Sequence, residues 1–319
     1  MAPKTHPLLA SQATRGRVVT RAQIGRLQNT VVKPRTLVGY NAACKWFFTW
    51  MIAMQLALPA EVWEFDVVIC EAIEAAWAEG ENRNLIGNLL SGIVNKIPAI
   101  RGNLRGSWRL WSAWGKQELP LRAPPFTPDM VLAMAGIMLA WSMADVTALL
   151  LLGYDCSLRT NELLTIQRQH MTFNATFTSV VAHLVCTKTT SRHGGIESVT
   201  RTEPNICRYL GQVCKSLLPG DAVLQRSVPQ FRIAFDKALA CLGLDRSFRP
   251  YSLRRGGASH FFRCTGSMDA TMERGRWGDQ RTARIYVNTA LLELSSNRLS
   301  PEVTRNLFTA AAIFAARKG

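Results

Sequence analysis

The sequence predicts a mainly α-helical protein with one small β-sheet, an α+β class, arranged as two domains. Three observations predict it. Apolar residues recur at helical spacing along most of the chain. A stretch rich in Thr, Val and Phe near 171–202 breaks that period. Four prolines, Pro120, Pro124, Pro125 and Pro128, separate two helical regions. With 319 residues, 48% of them hydrophobic, the chain can bury a real core in each of two domains.

Residues 1–32 are polar and basic without a clear period, and read as a basic flexible arm. From Pro34 the pattern turns helical: Tyr40, Cys44, Phe47, Phe48 and Met51 follow the spacing of one helical face. Three more helices are expected near 59–79, 82–97 and 106–117, with Pro59 at a start and Gly80 at a stop. Together they make a helical bundle over 33–122. The proline-rich stretch "GKQELPLRAPPFTP" then favours an extended linker. The second domain is expected over 123–319. Thr127 can cap a helix with Pro128 at its first position, and helices run to about Arg168. The segments "FTSVVAHLVCTKT" and "ESVTRT" read as strands around the turn at Gly194 and Gly195. Helices return from about 204. Ser300, Pro301 and Glu302 open a last one, whose apolar face is Val303, Leu307, Ala310, Ala311 and Phe314. That face either packs on its own domain or docks on a neighbouring protomer. On the docking reading, removing 300–319 abolishes assembly and spares folding.

The formal charge is +16, and the first 60 residues carry eight basic side chains and no acidic one. Such an excess points to a polyanion, most commonly nucleic acid, bound in a salt-dependent way. The eight cysteines include no C-x-x-C pair and mostly sit among apolar neighbours. That fits reduced core residues of an intracellular protein rather than zinc ligands or disulfides. Met1–Ala10 lacks the apolar run of a signal peptide. Asp145 interrupts the apolar stretch 130–152 and leaves it short of the ~20 residues that span a bilayer, so a buried helix pair is expected.

Chemistry is concentrated in the second half. "GYDCSLRTNELLTI" places Arg159 at a helix start with Glu162 one turn on. "FRPYSLRRGGASHFF" places Arg254 in the first turn of another helix. Gly256 and Gly257 inside that helix cost about 1 kcal/mol each. They make sense where a backbone or a phosphate must come close. "RGRWGDQRTARIYVN" sets Trp277 and Tyr286 nine residues apart among Arg276, Arg281 and Arg284. Two arginines on separate elements, Lys188 between them, and a later tyrosine are the parts that metal-free phosphodiester cleavage requires: cations, an acid and a nucleophile.

These segments resemble the boxes of the tyrosine recombinase (phage integrase) family. "SLRTNELLTI" is similar to its first arginine box, and "VCTKTTSRHGG" to the strand turn carrying its lysine. "PYSLRRGGASH" is similar to its His-x-x-Arg box, and "GRWGDQRTARIYV" to its final box. The resemblance covers about 127–290, and its last two boxes are most like those of eukaryotic mobile elements. It implies a helical core-binding domain over 33–122 and a catalytic domain over 123–319, clamping double-stranded DNA between them. It also implies a site-specific recombinase or integrase that cuts and rejoins DNA through a 3′-phosphotyrosyl intermediate, without metal, cofactor or ATP. Tyr286 would be the nucleophile, Arg159 and Arg254 the phosphate grips, Lys188 the acid for the 5′ oxygen, and Trp277 an indole donor. Arg255, Arg276, Arg284, Arg192 and Lys45 would contact DNA. Several protomers, a homo-tetramer on DNA, would exchange strands. Localisation would be intracellular and DNA-associated, with no membrane.

The chain departs from the family at Tyr251, where a His or Lys is usual. A phenol donates a hydrogen bond but is a weak base at neutral pH. His260 and His193 are the other candidates for proton transfer. Two further readings fit: a catalytically impaired DNA-binding relative, and a type IB topoisomerase-like relaxing enzyme. Trp108, Trp111 and Trp114, interleaved with Arg105, Arg109 and Lys116, supply either a DNA-facing stripe or an apolar face of the bundle.

Overall fold

The computed structural model describes residues 12–119, 121–185 and 197–316. The chain falls into two compact units, Met1–Leu121 and Arg122–Gly319.

Unit 1 is helical. Helix α1 (Gln12–Ile24) and a turn of 3-10 helix (Leu27–Thr30) precede four helices: α2 (Pro34–Ala53), α3 (Val62–Ala78), α4 (Arg83–Lys96) and α5 (Arg105–Gln117). The helix at Gln12–Ile24 lies where the polar sequence shows no period, because its residues have no apolar stripe to reveal it. Helix α2 packs on α4, and α3 on α5. Ala43, Cys44, Phe47 and Met51 form the buried face of α2. Phe48, expected on that face, is 43% exposed and rests edge-on against Phe47.

Asp66 on α3 caps α5 from across the bundle. Its carboxylate accepts from the Gly106 and Ser107 amides at 2.8 and 3.0 Å. The helix start has no side-chain cap of its own, so a neighbouring carboxylate satisfies its free N–H groups. The three tryptophans of α5 divide their roles. Trp114 is in the core, edge-on to Trp77. Trp111 lies under the Arg83 guanidinium, 3.7 Å from the ring centre. Trp108 stays exposed.

Unit 2 builds one large core from helices and a sheet. Thr127 caps α6 (Pro128–Ala140) by accepting from the Met130 amide at 3.3 Å, with Pro128 in the first turn. Helices α6 and α7 (Ala144–Asp155) form the buried pair expected from the apolar stretch. Asp145 is 5% exposed and paired with Arg226. No helix among the described residues is long and apolar enough to cross a membrane. A short helix, α8 (Thr160–Thr165), leads into an antiparallel sheet of order β1-β2-β3, with β1 (Met171–Phe173), β2 (Val180–Leu184) and β3 (Glu197–Arg201). The register pairs Met171 with Ala182 and Val181 with Thr200. Val180, Ala182 and Leu184 alternate into the core, as a half-buried strand requires. The remaining helices are α9 (Pro204–Lys215), α10 (Val228–Leu242), α11 (Tyr251–Thr265), α12 (Met268–Gly275), α13 (Gln280–Tyr286), α14 (Thr289–Asn297) and α15 (Pro301–Ala316).

Of the cysteines, Cys44, Cys156, Cys207 and Cys214 are buried and Cys70 is half-buried. Cys241 and Cys264 are exposed, correcting the expectation that the cysteines are core residues: each lies on the outer face of its helix. Cys186 lies outside the described residues.

The two glycines inside α11 are there for backbone contact. A Cβ at Gly256 would overlap the Phe126 carbonyl, and one at Gly257 the Tyr154 carbonyl. Backbone cannot yield as a side-chain tip can. Gly257→Ala is therefore expected to cost about 3 kcal/mol. The melting temperature of unit 2 should fall by roughly 6–12 °C. An unchanged melting temperature by circular dichroism would mean that α11 does not sit this tightly on α7.

Candidate active site

Helix α7 ends at Asp155, and Ser157 turns the chain with a left-handed φ of 47°. That turn delivers Arg159 as the residue preceding α8. Its amide donates to Glu162 Oε2 at 2.9 Å, and its Nη1 to Glu162 Oε1 at 2.6 Å. Glu162 is buried. Its second oxygen accepts from Arg276 Nη2 at 2.7 Å. Glu197, first residue of β3, approaches both arginines, with Oε2 3.7 Å from Arg159 and 3.3 Å from Arg276 Nε.

Arg254 lies beneath this cluster and is 0% exposed. Its Nη1 donates to the Ser157 carbonyl and its Nη2 to the Gly275 carbonyl at 2.7 Å. Burial pushes its pKa down to about 10, with Arg276 and Arg159 adding to the effect. It is still a cation at neutral pH.

Helix α12 ends at Gly275, and Arg276 takes a left-handed φ of 56°. The reversal folds Trp277 back over Gly275, where a Cβ would collide with the indole. Asp279 then caps α13 by accepting from the Thr282 amide at 2.7 Å. Tyr286 is the last residue of α13. Ala258, Trp277 and Ala283 form a small buried cluster against which its ring packs. The ring centres of Trp277 and Tyr286 are 4.8 Å apart. The Arg254 guanidinium is 4.7 Å from the Trp277 ring and 5.2 Å from the Tyr286 ring. Tyr251, first residue of α11, faces Tyr286 at 5.8 Å between ring centres.

Ser259 ties down the backbone around Tyr286. Its hydroxyl donates to the Tyr286 carbonyl at 3.2 Å and accepts from the Asn288 amide at 3.0 Å. Among the described residues, three buried donors of the cluster have no hydrogen-bond acceptor, Arg254 Nε, Trp277 Nε1 and Arg276 Nε, the last of them ion-paired with Glu197. Among the described residues, three guanidiniums, Arg159, Arg254 and Arg276, face two carboxylates, Glu162 and Glu197, an excess of one positive charge.

Five of the residues singled out from the sequence therefore meet: Arg159, Arg254, Trp277, Tyr251 and Tyr286. Arg276, expected on DNA, joins them from inside, with its side chain 7% exposed and paired to both carboxylates. Arg255, also expected on DNA, is 4% exposed and donates to the Ala123 carbonyl, which fixes the start of unit 2. Arg284 is exposed on α13, and Lys45 is exposed on α2 of unit 1. Lys188, Arg192 and His193 lie outside the described residues. His260 sits beside Arg263 and Cys264, with its ring 6.1 Å from Tyr154. Burial lowers its pKa, as do the cations Arg263 and Arg274. Sequence reasoning missed Glu197 and Ser259. Glu197 is 35 residues from Glu162, and only the sheet brings it back to the same arginines.

No protein-family model matches the chain, and no curated protein matches it. Similar solved structures include the XerH site-specific recombinase bound to difH substrate in a pre-cleavage complex. It is 13% identical, with 73% of this chain and 69% of that one covered and a TM-score of 0.48. The XerH post-cleavage complex with a palindromic difH substrate is 14% identical, with 74% and 78% covered and a TM-score of 0.45. XerA recombinase is 12% identical, with 85% and 98% covered and a TM-score of 0.40.

Proposed function

We propose that this chain is a DNA-cleaving and rejoining enzyme of the tyrosine recombinase kind. The observation that carries the reading is the meeting of Tyr286 with Arg254 and Trp277, two residues that each keep a buried N–H without an acceptor among the described residues, beside a cationic pocket. A tyrosine hydroxyl is an oxygen nucleophile. Buried donors without acceptors suit an incoming oxyanion, and a net positive pocket suits a phosphodiester.

In this reading the Tyr286 oxygen attacks phosphorus. The P–O5′ bond breaks, a 3′-phosphotyrosyl bond forms, and the proton lost from Tyr286 is balanced by the one gained by the 5′ oxygen. Lys188 is the proposed donor of that proton, on the resemblance alone. Arg159, with its side chain 26% exposed, is the guanidinium best placed to reach a phosphate. Arg254 is held by two carbonyls, so its role is that of a fixed positive charge with Nε left for an acceptor. Trp277 adds an indole donor and one wall of the tyrosine's slot. Resolution follows by attack of another 5′ hydroxyl on the same phosphorus, and the covalent bond conserves the energy for it. Strand exchange by this route needs several protomers, and a tetramer on duplex DNA is the proposed assembly. The net charge of +16 supports the DNA partner, and with it a DNA-associated location inside the cell.

The test is covalent trapping. Protein and its Tyr286→Phe variant are incubated with nicked plasmid and a pool of duplex fragments, then denatured in detergent. An adduct lost in the variant is expected, with DNA binding before denaturation unchanged. Salt-dependent binding without an adduct would favour the catalytically impaired relative, whose motivating feature is Tyr251. Relaxation of supercoils by a monomer would favour the topoisomerase-like reading.

A further inference from the structure

We infer that Tyr251 is a positioning residue for Tyr286: its phenol donates a hydrogen bond to the Tyr286 oxygen and holds that side chain in its slot. The inference rests on the reading of Tyr286 as nucleophile, and it gives a task to the position where the chain departs from the family.

The geometry has three parts. Tyr251 is the first residue of α11 and Arg254 the fourth, so both project from the same helical face toward Tyr286. The Tyr286 ring is walled by Trp277 at 4.8 Å, by the Arg254 guanidinium at 5.2 Å and by Tyr251 at 5.8 Å. The Tyr251 ring is tilted at 57° to that of Tyr286, on the one side of the slot that neither Trp277 nor Arg254 takes up. Trp277 and Arg254 thus fix the ring, while Tyr251 reaches the oxygen that must react.

The direction of that bond follows from the surroundings. Tyr251 is 37% exposed, and the partial burial of its ring still raises its pKa above the ordinary phenol range, with the neighbouring Tyr286 adding to the effect. Arg254 and Arg255 oppose the shift without reversing it. Among the described residues, those two arginines on α11 and Tyr286 on α13 are the charged and titratable groups facing Tyr251. It therefore keeps its proton across neutral and alkaline pH and acts as the donor. As Tyr286 attacks, negative charge leaves its oxygen for the phosphate, and before that its own proton must go. A neutral donor at that oxygen stabilises the charged form and fixes its aim. A protonated His or Lys would add a further cation to a pocket already in positive excess. A phenol supplies the bond without the charge.

The experiment labels the full-length protein with [13Cζ]tyrosine and follows ionisation by NMR. The chain has five tyrosines, few enough to assign by single Phe substitutions. In Tyr286→Phe, Tyr251 loses both the bond and the opposing charge, so it should ionise at a lower pH than in wild type. Adduct formation on nicked plasmid is then timed for wild type, Tyr251→Phe and Tyr251→His. The Phe variant is expected to be roughly ten- to hundredfold slower with DNA binding unchanged. Tyr251→His, which restores a donor, should recover part of the rate. An unmoved Tyr251 ionisation, or a Phe variant as fast as wild type, would overturn the inference while leaving strand cleavage standing. A wild-type protein that forms no adduct, with the Tyr251 ionisation still moving, would overturn the cleavage reading and uphold the tyrosine contact.

Discussion

Truncation before Ser300 is expected to leave unit 2 unable to fold. Helix α15 buries Leu307, Ala310 and Phe314, and its long contact with α6 is the most extensive between any two helices of the unit. The two backbones touch: a Cβ on Gly136 of α6 would overlap the Ala310 carbonyl. Phe314 also meets Tyr209 edge-on at 6.0 Å, and the Tyr209 hydroxyl donates to the Ala144 carbonyl at 3.1 Å, tying α9 to the start of α7. Burying a Leu or Phe contributes about 1.5–3 kcal/mol each. Removing the helix also uncovers the apolar face of α6. The sum is comparable with the whole ~5–15 kcal/mol margin of a domain. Thermal unfolding of the full and truncated chains by circular dichroism should show the unit 2 transition lost. If the truncated protein melted like the full one, α15 would be free to dock on a neighbouring protomer, the other reading of its apolar face.

That helix illustrates what periodicity can and cannot reveal. Val303, Leu307 and Phe314 mark an apolar stripe wherever it docks, and the sequence does not name the surface that receives it. Only the Gly136 contact does, because a glycine opposite a carbonyl leaves room for that helix alone. The same distinction runs through the site. Thr127 with Pro128 is a local signal, and its cap appears where the residues stand, whereas the left-handed turn at Ser157 carried no such signal. Gly256 and Gly257 announce a close approach, and the structure supplies the partners, both of them backbone. Arg255 and Arg276 were legible only as cations beside a motif, the pattern of a DNA-facing surface. Their burial depends on Ala123, Glu162 and Glu197, brought together by packing across more than 75 residues. Strand β1 spans three residues, too few to show a period of two.

Glu162→Ala should be the most damaging single substitution in the site. The carboxylate is buried and shared: one oxygen accepts from the Arg159 side chain, the other from Arg276 and the Arg159 amide. Deleting it leaves Arg276, with its side chain 7% exposed, with Glu197 at 3.3 Å as its remaining carboxylate and the Cys156 and Arg274 carbonyls at 3.4 Å as neutral acceptors. Breaking a buried pair from one side costs about 3–5 kcal/mol, because the surviving charge stays desolvated. Removing both partners relieves that penalty, so the double variant Glu162→Ala with Arg276→Leu is expected to be less unstable than the sum of the singles. The difference, read from urea unfolding of all four proteins, separates the ion pair from the packing around it. Arg276 also carries the chain reversal that places Trp277 against Tyr286, so the single variant should lose the adduct as well. Additive effects in the cycle would mean that the Glu162–Arg276 pair does not organise the pocket. Coupling would make Glu162 the residue through which both arginines, and with them the slot for Tyr286, are held in register.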